Sequence, residues 1–122
     1  MGLDVFIKPG LHKYPSAEDV AAFAALGDLP LAGWMAEGSL IAFRGKVYED
    51  FVFRVCMNSL YQEWIPPREV AQMAQAIEAL DYESELVKEL LEATRVPESH
   101  ARALGEVLKL CAKRRLGLHG DW

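Results

Sequence analysis

The side chains best spaced for chemistry in this sequence are Arg44 and Lys46 around Gly45, with Tyr48 two residues further on. A turn between a strand and a helix leaves backbone N–H groups free, and the helix dipole favours negative charge there. Two cations at such a turn therefore read as a binding site for an anion or a phosphate-bearing small molecule. Tyr61 or His12 would line a cleft beside it. The segment lacks the GxxxxGK[ST] pattern of a phosphate-binding loop. The competing reading is a solvated turn whose cations pair with Glu49 or Asp50.

Other candidates are sparser. His12, His100 and His119 have no second histidine or cysteine at metal-ligand spacing, so no metal site is expected. His12 offers a general base, and His119 with Asp121 a base and its orienter. Neither serine nor cysteine stands in a nucleophile motif beside them, so no catalytic residue is assigned and no cofactor is implied. The carboxylate pairs Glu49 with Asp50 and Glu83 with Glu85 fall where helices need a polar face. Cys56 and Cys111 lie far apart in apolar helical patterns and read as small buried hydrophobes. Trp34, Trp64 and Trp122 form the candidate interaction surface, because large aromatics anchor contacts when exposed and cores when buried.

These residues need a scaffold. Leu3 to Lys8 is rich in β-branched and aromatic residues and is stopped by Pro9-Gly10, which predicts a short strand. Ser16 with Asp19 three residues later is a capping-box-like start, and the apolar spacing of Val20, Phe23 and Ala24 predicts a helix ending at Gly27. Residues 28–38 read as a packed connection. Ser39 to Arg44 is a second strand candidate, which the intervening helix would make parallel to the first.

From Lys46 to Met57 strand-favouring side chains dominate, yet Lys46, Glu49, Asp50 and Arg54 fall on one helical face. Val47, Tyr48, Phe51, Val52, Val55 and Cys56 fall on the other, so a helix is predicted, with only Phe53 out of pattern. A loop from Asn58 to Ile65 carries Tyr61 and Trp64. A helix opening at Pro66-Pro67 follows, with Val70, Met73, Ile77 and Leu80 inward. Another uses Leu86, Val87, Leu90 and Leu91 and ends before Pro97. The last runs from Pro97 to about Leu116 with Gly117 as its stop, and the residues after Gly117 are too few for a further element. The expected class is mainly α with a minor β component (α+β): about five helices and two short strands in one compact domain over residues 1–122.

Composition agrees with a folded globule: 52% hydrophobic and 25% charged residues over 122 positions suit one core. Thirteen Lys and Arg against 18 Asp and Glu give a formal charge of −5, which disfavours nucleic-acid binding, since that affinity comes mainly from cations on phosphates. Lys113-Arg114-Arg115 then reads as the cationic end of a helix. No apolar run approaches the ~20 residues that cross a bilayer, and the start of the chain lacks the pattern of a secretory signal. A cytoplasmic location without membrane contact is expected.

The opening Met1-Gly2-Leu3-Asp4-Val5, Phe43-Arg44-Gly45-Lys46 with Tyr48, the run from Ser59 to Pro67, and Leu110-Cys111-Ala112 with Leu116-Gly117-Leu118 resemble a family of small bacterial proteins of unknown function. The resemblance implies a bacterial cytosolic origin and no assigned activity, and it supplies no residue roles. The leading expectation is a small interaction module without catalytic activity, acting through a protein partner or a homo-oligomer. The alternative is a small-molecule or anion-binding protein or enzyme built on the Arg44-Gly45-Lys46 turn.

Overall fold

The computed structural model describes residues 2–122; Met1, at which the resemblance begins, lies outside them. Strand β1 (Asp4–Lys8) alternates as its sequence demands: Val5 and Ile7 face the core, while Asp4, Phe6 and Lys8 face outward. Helix α1 (Ala17–Ala24) opens on the expected capping box, with the Asp19 N–H donating to Ser16 Oγ and the Ser16 N–H to the Asp19 carboxylate. Gly27, at φ 79°, takes the left-handed turn after it.

The connection that follows holds an element the sequence reading missed. Met35–Glu37 forms β2, which returns through Gly38 (φ 61°) into β3 (Leu40–Arg44) as a hairpin. That reversal makes β1 and β3 antiparallel, with Val5 opposite Phe43, and so corrects the expected parallel pairing. The chain end supplies β4 (Gly117–Asp121), antiparallel to β1. The result is a four-stranded antiparallel sheet in the order β2-β3-β1-β4 rather than two short strands. Gly117 is therefore not the helix stop. Arg115 ends the last helix in a left-handed conformation (φ 58°), which frees Gly117 for the sheet.

Residues 62–65 run along the free edge of β4. Ile65 and Leu118 exchange N–H···O bonds of 2.8 and 2.9 Å, and the Gly120 N–H donates to Gln62 O at 3.0 Å. A Cβ on Gly117 would lie 2.5 Å from Ile65 O and 2.6 Å from the Trp64 ring, so only glycine admits this approach.

Five helices lie among the described residues, as expected. After a 3₁₀ turn at Lys46–Tyr48 come α2 (Glu49–Cys56), α3 (Pro67–Glu78), α4 (Glu85–Thr94) and α5 (Glu98–Arg114). α3 packs along α5, and α2 packs on α3 and α4. Val5, Ile7, Ile41, Phe43 and Leu118 of the sheet join Phe51, Val52, Ile77, Leu104 and Leu108 of the helices in one core. Arg114 Nε donates to Asp19 at 2.8 Å, which fastens the end of α5 to the start of α1. Two side chains assigned to the interior lie outside it. Val47 sits exposed in the 3₁₀ turn, and Leu86 is 78% exposed because the buried positions of α4 are Val87, Leu91 and Thr94, about 100° around the helix.

Candidate functional site

The residues singled out at the β3–α2 turn do not converge. Arg44 and Lys46 are exposed, and Arg44 pairs only loosely with Asp4, at 3.8 Å. The Gly45 N–H is given to Leu3 O at 2.8 Å. Tyr48 turns the other way and is 0% exposed. Its hydroxyl accepts from the Ala32 N–H at 2.7 Å and lies 2.8 Å from His100 Nδ1. A buried hydroxyl hydrogen needs an acceptor, and Nδ1 is the one in reach. Burial pushes the phenol above its ordinary pKa, the Ala32 hydrogen bond opposing it. Tyr61 lies elsewhere, edge-on to Trp122 at 5.6 Å between ring centroids. Glu49, offered as half of a carboxylate pair, accepts from Ser59 Oγ (2.6 Å) and from the Leu60 N–H (2.7 Å), so it pins the 58–62 loop.

The three tryptophans also separate. Trp34 is half-buried against Phe23 and donates its indole N–H to Gly27 O at 3.2 Å. Trp64 is half-buried over Gly117, and Trp122 is 54% exposed at the end of the chain.

Two surface features bring together residues the sequence did not group. The first is an apolar groove of about 530 Å³ between α2 and α4. Val55, Leu80, Val87 and Leu90 line it, with Arg54 on the α2 side and Glu89 and Leu86 on the α4 side. On the outward face of α2 stand Phe53 (53% exposed) and, one turn on, Met57 (80% exposed).

The second feature is a polar cleft of about 280 Å³ at the end of β1, lined by Lys8, Leu11, His12, Lys13, Tyr14, Glu63 and His119. Lys8 Nζ lies 2.9 Å from His119 Nδ1 and 3.4 Å from Leu11 O. An ammonium only donates, so Nδ1 accepts and the hydrogen of the neutral imidazole sits on Nε2. Burial first, and then the Lys8 charge, hold the His119 pKa below its ordinary value, against the opposing pull of Asp121 and Glu63. The sequence flagged His12 and His119 but not Lys8 or Glu63, because the pairing of β1 with β4 is what unites them.

Among the described residues no cluster of three metal-ligating side chains occurs, and no helix is long and apolar enough to cross a membrane. Burial pushes the Cys56 thiol up to about 11, and Cys111 higher still. No family model, curated protein or solved structure matches the chain, so its functional reading rests on its own residues.

Proposed function

We propose that this chain is a non-catalytic interaction module that pairs with a second copy of itself through the α2–α4 groove. The observation that carries the reading is Leu86, 78% exposed on the rim of an apolar groove. A two-fold contact is self-complementary, so one patch must supply both the projection and the cavity that receives it. This patch has both: Leu86 projects, and Val55, Leu80 and Leu90 offer the apolar hollow. Its charges suit the same symmetry. Arg54, whose Nε also pairs with Asp50 of its own helix at 3.0 Å, and Glu89 lie on opposite sides, so a two-fold axis running along the groove sets each Arg54 toward the other copy's Glu89. Burying one leucine side chain contributes about 1.5–3 kcal/mol, and symmetry doubles it.

A charge swap tests the reading. Arg54→Glu and Glu89→Arg should each weaken self-association, because like charges then meet at both contacts, and an equimolar mixture of the two variants should restore it as a mixed dimer, in which both contacts set Glu against Arg. The double variant carrying both changes should restore it. A double variant as weak as either single change would refute the two-fold pairing, and another protein captured by the groove would redirect the reading to a different partner.

A further inference from the structure

The cleft at the end of β1 is made by four separate segments: β1, the 9–15 loop, the loop ahead of α3 and β4. Its polar groups are almost all hydrogen donors. Lys8 and Lys13 carry ammoniums, His119 keeps a hydrogen on Nε2, and Tyr14 adds a hydroxyl. Glu63 is the one acidic residue among its lining side chains. With both imidazoles neutral the lining therefore carries a net positive charge, in a chain whose total is −5. The excess is local and is opposite in sign to the field of the whole molecule.

Lys8 is also held in place. Its ammonium lies 5.9 Å from the ring centroids of both Phe6 and Tyr14 and touches His119 and Leu11 O, so it is preorganised rather than freely waving in water. A space of about 280 Å³ sits just under the usual range of small-ligand pockets. It would hold a compact group.

We propose that this cleft binds the phosphate group of a small phosphorylated metabolite, with Lys8 and Lys13 supplying charge and His119 and Tyr14 directing hydrogen bonds. Phosphate fits better than a monocarboxylate because two ammoniums line the cleft, and a dianion that draws Lys8 Nζ off His119 Nδ1 leaves that nitrogen free to take a proton. Lys8, His12, Glu63 and Asp121 are the charged or titratable groups facing His119. A bound dianion outweighs Lys8, the one ammonium among them, so affinity rises as pH falls through the range in which His119 takes its proton.

Nuclear magnetic resonance titration with inorganic phosphate, against sodium chloride at equal ionic strength, tests this on the whole chain. The amides of residues 8, 10–14, 63 and 119 should shift and saturate with phosphate and stay still with chloride. Lys8→Met, which keeps the apolar stem, should weaken binding about tenfold or more. Lys13→Glu, at an exposed position, should do the same without touching the core. Glu63→Gln should tighten binding, an outcome that general damage to the fold cannot produce. Sulfate remains dianionic across the pH range, so a sulfate series should show tighter binding at pH 5.5 than at pH 7.5 and an upward move of the His119 ring titration. Shifts that grow without saturating, chloride reproducing them, or Glu63→Gln weakening the interaction would overturn the proposal. Succinate binding as tightly as phosphate would overturn its assignment to phosphate.

Discussion

Tyr48→Phe separates a residue that holds the fold from one that serves a ligand. The phenyl ring stays in its place beside Phe43, so the change removes one oxygen and little packing. That oxygen joins three segments: the Ala32 N–H in the connection after α1, His100 in the first turn of α5, and the start of α2. A fully buried group left without a partner costs about 1–3 kcal/mol. Ala32 and His100 are both half-buried, so water rescues each in part and the combined loss is about 2 kcal/mol. Unfolding entropy of roughly 2.1 cal/mol/K per residue over 122 residues gives about 0.26 kcal/mol/K, so the melting temperature should fall by ~8 °C. Urea unfolding followed by circular dichroism should show a lower midpoint with an unchanged slope. A loss below about 0.5 kcal/mol, the size of a neutral surface change, would refute the reasoning that these two hydrogen bonds hold the fold.

Asp19 links a helix cap to an ion pair. Although burial opposes it, hydrogen bonds from Arg114 and Ser16 hold its carboxyl below the ordinary range. Asp19→Asn should cost about 1–2 kcal/mol at neutral pH. The depressed folded value means that this advantage is present above the unfolded pKa of about 3.9 and is lost as pH falls through the folded one. Melting curves of the two proteins should converge below about pH 4, and a gap that stays constant would count against the ion pair. Gly117→Ala would drive a methyl into Ile65 O and Trp64, which cannot both retreat, so a loss of about 1–3 kcal/mol by urea unfolding is expected. Arg115→Gly should do the opposite and raise stability by about 1 kcal/mol, because the left-handed cap at φ 58° suits glycine, and a lower melting temperature would contradict that.

Helical spacing carried most of the architecture into the sequence. Pro66-Pro67 ahead of Val70, Met73 and Ile77 marked α3, and Ser16 with Asp19 marked the start of α1. The charged face of Lys46, Glu49, Asp50 and Arg54 identified α2 against a strand-favouring composition. The sheet was harder to see, because β2 is three residues long and β4 contains two glycines. Neither has a side-chain pattern of its own; each exists because a neighbouring strand satisfies its backbone. That gap hid the polar cleft, since Lys8 meets His119 only once β4 lies beside β1. Tyr48 misled for a related reason. A tyrosine next to a basic turn suggests a ligand, and only tertiary packing shows its hydroxyl directed at Ala32 and His100. Leu86 followed the apolar pattern of α4, but the core accepts a narrower stripe than the sequence supplies.

Sedimentation equilibrium across micromolar to millimolar protein, run on the native chain and on Leu86→Glu, addresses self-association most directly. Glutamate in the first turn of α4 complements the helix dipole, so this variant keeps a stable fold while placing a charge at the groove. The native chain should shift from monomer to dimer as concentration rises, and Leu86→Glu should remain monomeric with an undiminished melting temperature. A native chain that stays monomeric throughout, or a dimer indifferent to Leu86→Glu, would contradict the account.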